Sequence, residues 1–303
     1  MKKTGLSDRW FLCVLISAIL WGTYGSFVTF IGRLGEDTSG IVIIRLATTA
    51  ATVGILTGIR DRSLFRIKGK DAVWFLANGI ASIAFFTLCY TEAIRVTKIA
   101  TAAALLYTAP MIVLLLSALF FHEKLNRTKL ICIPVSVIGC ALVSGAAGFL
   151  TGESGTGLSA RGLLLGLGAG LGYALYSIFS RVLLNRGYNM LTCVFYTFLA
   201  AAVFVFCIHL LQGKTLNMAG SGTGLLLDIV CGIVTGSIPY LLYTYGMQGM
   251  ENARAAQIAT VEPVMAAFLG FLLFGQKLTA TELCGMILVI GAVAVMNRTE
   301  NRK

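Results

Sequence analysis

The sequence predicts an all-α integral membrane protein of ten transmembrane helices, arranged as two inverted five-helix repeats. Three observations carry this reading. Of 303 residues, 57% are hydrophobic and only 12% are charged, about half the charged share of a typical soluble domain. Apolar segments of spanning length recur along the whole chain. The two halves also repeat each other's motifs in a single register.

A helix needs about 20 mostly apolar residues to cross a bilayer. The segments 9–32, 39–58, 71–94, 100–121, 127–146, 161–184, 190–212, 223–247, 254–274 and 279–297 satisfy or approach this. The first follows Met1, Lys2 and Lys3 and stays apolar through Ile31. It is too long for a secretory signal and shows no small-x-small cleavage site, so it reads as a retained helix. The longest polar-leaning connection, rich in Gly, Ser and Thr, runs from Ala147 to Ala160. It separates a first unit, 1–148, from a second, 161–303, with a linker over 149–160.

The net charge of +11 would suggest an anionic partner on a soluble protein. Here the basic residues sit mostly in short connections. With a cytoplasmic N-terminus, 17 Lys and Arg fall on the inside, including Lys2, Lys3, Arg302 and Lys303. Only 6 fall outside: Arg33, Arg95, Lys98, Arg161, Lys214 and Lys277. That bias places both termini in the cytoplasm of a multi-pass plasma-membrane protein. No nucleic-acid-binding pattern is present. The 8 cysteines lie in apolar stretches without CxxC spacing, which argues against metal sites and a disulfide framework. No cofactor motif is found.

The repeat has an offset of about 152 residues. Thr101–Pro110 with Phe121–Leu125 aligns with Arg254–Pro263 and Phe274–Leu278, so Pro110 matches Pro263 and Lys124 matches Lys277. Tyr90 aligns with Tyr243, and Trp21 and Tyr24 align with Tyr173 and Tyr176. Five spans per half is an odd number, so the halves would enter the membrane from opposite sides, an inverted-topology repeat. Such pairs suit alternating access, with a solute site near the midplane between the halves.

On these residues the chain resembles the EamA-type carriers of the drug/metabolite transporter superfamily. The resemblance covers 9–297. Its most specific pieces are Leu106-Tyr-Thr-Ala-Pro110 with Phe121-His-Glu-Lys-Leu125, and Val261-Glu-Pro263 with Phe274-Gly-Gln-Lys-Leu278. Arg45 occupies the place of a recurrent arginine of the family's second span, while Gln276 stands where many relatives have Glu. The resemblance implies secondary transport of metabolites, often efflux of amino acids or related compounds. It also implies a central cavity lined by the first, third, fourth, sixth, eighth and ninth spans.

Glu262 is the sharpest candidate for solute or proton contact, because a mid-span carboxylate costs at least about 2.5–3.5 kcal/mol on insertion scales. A scaffold hydrogen bond beside Pro263 is the alternative. Arg45 could pair with a solute carboxylate or serve the scaffold. Asp228 lies at similar depth, and Glu92 is nearer a span end. The aromatics Trp21, Tyr24, Tyr90, Tyr107, Tyr173, Tyr176, Tyr240 and Tyr243 sit away from span ends, where an interfacial belt does not account for them. They read as walls of an amphipathic cavity or as helix packing. Gln257, Thr108 and Thr260 could add hydrogen bonds. Pro110, Pro239 and Pro263 are candidate hinges. Gly162, Gly166 and Gly170 recur every fourth residue, as close helix contacts require.

The expected function is a secondary carrier of small organic solutes, working as a monomer or homodimer, with proton coupling open. It is not expected to be an enzyme. A membrane-embedded lipid-modifying enzyme is the alternative, but His122 and His209 lie apart and no acidic metal motif occurs. A non-transporting scaffold is the other alternative, and it would not require mirrored prolines beside a mid-span acid.

Overall fold

A computed structural model describes residues 4–36, 38–97, 99–145, 159–213 and 222–300, and these contain helices and no strand. Nine helical segments among them are long and apolar enough to cross a membrane. They are α1 (Asp8–Gly32), α2 (Thr38–Arg60), α3 (Gly69–Val96), α4 (Thr101–Phe121), α6 (Ala160–Asn185), α7 (Met190–Leu211), α8 (Gly222–Gly246), α9 (Asn252–Phe274) and α10 (Ala280–Thr299). The segment expected at 127–146 forms α5 (Arg127–Val143), a helix of 17 residues. It is about 25 Å long and stops early, where the chain turns through Gly145 at φ 76°. The expected linker up to residue 158, and Lys2, Lys3, Lys98, Lys214, Arg302 and Lys303, lie outside the described residues.

Local chemistry sets the helix ends. The side chains of Asn126, Ser159 and Asn189 accept from Lys129, Gly162 and Leu191 N–H groups at the starts of α5, α6 and α7. Each satisfies a donor that the first turn leaves without an intrahelical partner. α4 and α9 end alike, in left-handed residues His122 (φ 55°) and Gly275 (φ 63°). The next N–H reaches back six residues, from Glu123 to Ser117 O and from Gln276 to Gly270 O. Each bond satisfies a carbonyl that the last turn of the helix leaves open.

Contacts between helix ends sort the bundle into two faces. At one face the start of α1 meets the end of α8, through Trp10 and Tyr245 with ring centroids 4.6 Å apart. There, too, Thr192 at the start of α7 donates to Leu64 O just beyond α2, and Arg254 in α9 bonds Asn297 in α10. At the other face the ends of α1 and α9 meet, through Phe30 and Phe274 at 5.3 Å. The end of α3 meets the start of α6 there, through Glu92 and Arg161. The first face, where α1 starts and α10 ends, is called the terminal face below, and the second the distal face.

Five helices are interrupted, and α4, α8 and α9 each carry a proline just past the interruption. α1 turns at Thr23, α4 at Tyr107–Thr108 and α9 at Thr260. In the last two the hydroxyl bonds back three residues, from Thr108 to Leu105 O and from Thr260 to Gln257 O. Pro110 and Pro263 then fall in the first turn of the restarted helix. An N–H there would have no intrahelical acceptor, so the proline ring removes no bond. α3 and α8 instead widen into π-helix, over Asn78–Ala84 and Gly232–Ser237. Pro239 follows the second of these, while Pro134 lies inside α5.

Small residues allow the closest helix contacts, as the glycine spacing in α6 predicts. A Cβ added at Gly170 would sit 2.9 Å from Thr108 Oγ1 and 3.1 Å from Leu105 O, and one at Gly172 would sit 2.8 Å from Phe86 N. α5 and α10 cross backbone to backbone: a Cβ at Gly139 would lie 2.9 Å from Gly285 O, and one at Gly285 would lie 2.6 Å from Gly139 O. Replacing Gly170 with Leu must push α6 off α4. The expected loss is about 1–3 kcal/mol, read as a lowered melting temperature in detergent. Gly25→Leu, with open space around it, should leave the melting temperature unchanged.

Candidate functional site

The middle of the bundle holds a cage of aromatic rings. Trp21 (α1), Ile83 and Phe86 (α3), Tyr173, Tyr176 and Ser177 (α6), and Tyr240 and Tyr243 (α8) enclose one cavity. The rings touch in sequence. Trp21 lies 5.0 Å from Tyr240, 5.3 Å from Tyr243 and 6.1 Å from Tyr173. Tyr240 packs edge-on against Tyr176 at 4.9 Å, and Phe86 packs on Tyr173 at 5.7 Å and stacks on Tyr90 at 5.8 Å. This packing leaves a cavity of only about 10 Å³, the room of about one water molecule. The expected aromatic-walled cavity is therefore closed down in this conformation by ring-on-ring contact.

Helical periodicity supplies the cage. Tyr173, Tyr176 and Ser177 occupy i, i+3 and i+4 of α6, and Tyr240 and Tyr243 are i and i+3 of α8, so each set shares one face. Their hydroxyls are paired. Tyr176 shares a hydrogen bond with Thr244 Oγ1 at 2.7 Å, and Ser177 with Tyr243 at 2.9 Å. The Trp21 Nε1 donor is buried without a hydrogen-bond partner among the described residues. An unmatched buried donor costs about 1–3 kcal/mol, which a water or solute acceptor in the cavity would offset.

Two charged side chains flank the cage. Glu262 in α9 accepts from Tyr173 Oη at 3.0 Å, and Tyr107 also hydrogen-bonds to it. Gly22 lets α1 close onto this turn, since a Cβ there would lie 2.7 Å from Glu262 O. Arg45 in α2 donates from Nε to Thr235 Oγ1 at 2.9 Å and from Nη2 to Thr235 O at 2.8 Å. Its guanidinium lies 4.6 Å from the Tyr24 ring centroid, a cation–π contact. Arg45 and Glu262 are close enough to act on each other electrostatically, yet no ion pair joins them among the described residues.

The Arg45 contact has a backbone cause. Pro239 has no N–H, so the carbonyl four residues back, that of Thr235, lacks its helical donor. Arg45 supplies one. The Pro239 carbonyl in turn accepts from Ser17 Oγ of α1 at 2.7 Å.

The expected site residues thus divide. Trp21, Tyr173, Tyr176 and Tyr243 line the cavity, Tyr90 stacks on its wall, Tyr24 underlies Arg45, and Tyr107 and Glu262 adjoin Tyr173. Gln257 does not join them. It is buried against α5, donating to Ser136 Oγ at 3.3 Å. Asp228 is 1% exposed and lies against Glu36, outside the cavity lining. Glu92 is paired with Arg161 and Arg95 at the distal face. Ser177 and Phe86 were not expected, although both were reachable: each lies four residues from an expected tyrosine on its own helix.

A family model for the EamA-like transporter family matches residues 8–145 and again 160–298. An uncharacterized transporter of Archaeoglobus fulgidus is 28% identical over 94% of this chain and 98% of its own. The uncharacterized inner membrane transporter YicL of Salmonella typhimurium is 24% identical over 99% of this chain and 98% of its own. A solved crystal structure superposes with a TM-score of 0.81 at 19% identity, covering 97% of this chain and 98% of that one, which shows a shared fold. A multi-pass membrane protein with this cage is of the transporter class. The chain belongs to the EamA-like transporter family.

Arg45→Leu would leave the Thr235 carbonyl without a donor in an apolar interior. The expected loss is about 1–3 kcal/mol, measured as thermal unfolding in detergent, with Arg45→Lys recovering part of it. Equal stability of Arg45→Leu and the parent would refute the assignment.

Proposed function

We propose that this chain is a secondary carrier that moves small organic solutes, amino acids or related amphipathic molecules, out of the cell by alternating access. Its fold is read as ten membrane-spanning helices, counting the short α5, in two inverted repeats, 1–148 and 161–303. Both termini are placed in the cytoplasm of the plasma membrane. The paired family matches support the repeat. So do the paired Thr-then-Pro breaks of α4 and α9, the paired π segments of α3 and α8, and the paired left-handed ends at His122 and Gly275.

One observation carries the solute assignment. A cation and an anion flank an aromatic cage in the middle of the bundle, both held by hydrogen bonds and not neutralised by each other. Bare charges at that depth are costly. A zwitterion set between them would present an amine to Glu262 and a carboxylate to Arg45, with its apolar part against the rings. The unmatched Trp21 donor offers a further bond. Glu262 would also take a proton if transport is proton-coupled. Pro110, Pro239 and Pro263 are read as hinges, because each lies at or beside a helix interruption where few intrahelical bonds need to change.

Counterflow of labelled amino acids, amines and sugars in proteoliposomes tests the reading. Zwitterionic solutes should exchange, and Glu262→Gln should lose at least about 90% of that flux while inserting normally. This loss corresponds to about 1.4 kcal/mol or more. Wild-type flux in Glu262→Gln would refute its role, and exchange of none of the panel would refute the solute class.

A further inference from the structure

The terminal face carries a polar cluster that ties the connection between α8 and α9 to α4, α5 and α6. Glu123, just past α4, accepts from the N–H groups of Asn252 at 2.7 Å and Ala253 at 3.3 Å. It thereby caps the start of α9. Lys129 in α5 pairs with Glu251 and donates to Lys124 O at 2.9 Å. Arg181 in α6 donates from Nε to Asn252 Oδ1 at 2.7 Å and also reaches Met250 O. The connection between α8 and α9 is thus gripped by charged groups from both halves of the chain.

This connection is also what fills the space below the cage. Met247 and Met250 belong to the same buried cluster as Trp21, Tyr176 and Tyr243. Arg181 lies four residues beyond Ser177, which bonds Tyr243 on the cavity wall. A Cβ at Gly249 would collide with Trp10 at 2.1 Å, so the loop is tight against α1.

The matching residues of the second half do not reach across. Gln276, at the place of Glu123, folds back so that its Oε1 would sit 2.4 Å from a Cβ on Gly270. Glu282, at the place of Lys129, accepts from Thr279 N at 2.6 Å at the start of its own helix. Exposure follows the same asymmetry. Tyr24, Tyr90, Tyr173 and Glu262 lie deep in the bundle but are partly open to solvent-sized contact, whereas Tyr176, Tyr240 and Tyr243, toward the terminal face, are buried.

From this we propose that Glu123, Lys129 and Arg181 form a latch on the Met247–Ala253 connection. It seals the cage from the terminal face, and its release is the step that opens the cage to that side. The inference rests on the transporter reading for its purpose, but not for its geometry. Burial pushes the Glu123 carboxyl upward from its usual range, against the pull of the Asn252 and Ala253 N–H groups and Lys129. The left-handed conformation of His122, the non-glycine with positive φ among the described residues, aims the chain so that Glu123 reaches α9. Strain of this kind persists only where surrounding contacts enforce it.

The test uses a variant with native cysteines replaced and Ser177→Cys at the cage wall, in sealed vesicles of each orientation. The probe is a small membrane-impermeant cationic methanethiosulfonate. With the latch intact, labelling from the terminal face should be slow. Glu123→Gln should speed it about fivefold or more. Lys129→Glu should do the same, and adding Glu251→Lys should restore the slow rate. Unchanged rates in all variants, or acceleration that charge reversal fails to restore, would overturn the latch. If Lys129→Glu does not insert, Glu123→Gln decides alone. Solute flux is read in parallel vesicles whose protein keeps Ser177 and its native cysteines and carries the same latch substitutions. Latch-dependent labelling without flux overturns the transport reading only, and flux with latch-independent labelling overturns the latch only.

Discussion

The Arg45 guanidinium and the Thr235 carbonyl form the contact on which the centre of this protein depends. Lipid offers no partner to a loose backbone group, so each break in a spanning helix must be answered from within the protein. Pro239 frees a carbonyl on α8. Arg45 on α2 takes it, and Ser17 on α1 takes the next one offered by Pro239 itself. Three helices are thereby tied at one height, and the rings of Tyr24, Trp21 and Tyr240 gather around the tie. The arginine is therefore first a structural donor. Its fork has five N–H groups, of which Thr235 engages two, so a second role remains chemically open to it.

Around this centre several backbone features recur while the side chains at them differ. The Thr-then-Pro breaks of α4 and α9, the π segments of α3 and α8, and the left-handed ends at His122 and Gly275 recur. The acid at Glu262 has Ala109 in the corresponding place, and Glu123 has Gln276. Equivalent backbones thus carry different chemistry at their ends and midpoints.

Much of this was legible in the sequence. The long apolar runs placed nine helices to within about two or three residues, because an apolar face of that length has few other stable outcomes. The cage tyrosines were legible because their spacing kept them on shared faces away from helix ends. Gln257 faces Ser136 of α5, because each residue step rotates a helical side chain by about 100° and spacing alone does not fix which neighbour a given position meets. The close packing of the cage was also beyond the sequence. Ring orientations follow from tertiary contact rather than from spacing. The latch was hidden for another reason: Glu123, Lys129 and Glu251 look like ordinary solvated loop charges until the fold brings two distant connections together.

The α5–α10 crossing has a mechanical meaning. Glycines meet there with backbone against backbone, and Val289 and Leu142 pack onto the two glycines from the facing helices. Such a seam resists being pulled apart, since close backbone approach gains many small attractions. α5 and α10 are thereby held as one body at the rim of the bundle, so a rearrangement around the cage that kept this seam would carry the two helices together.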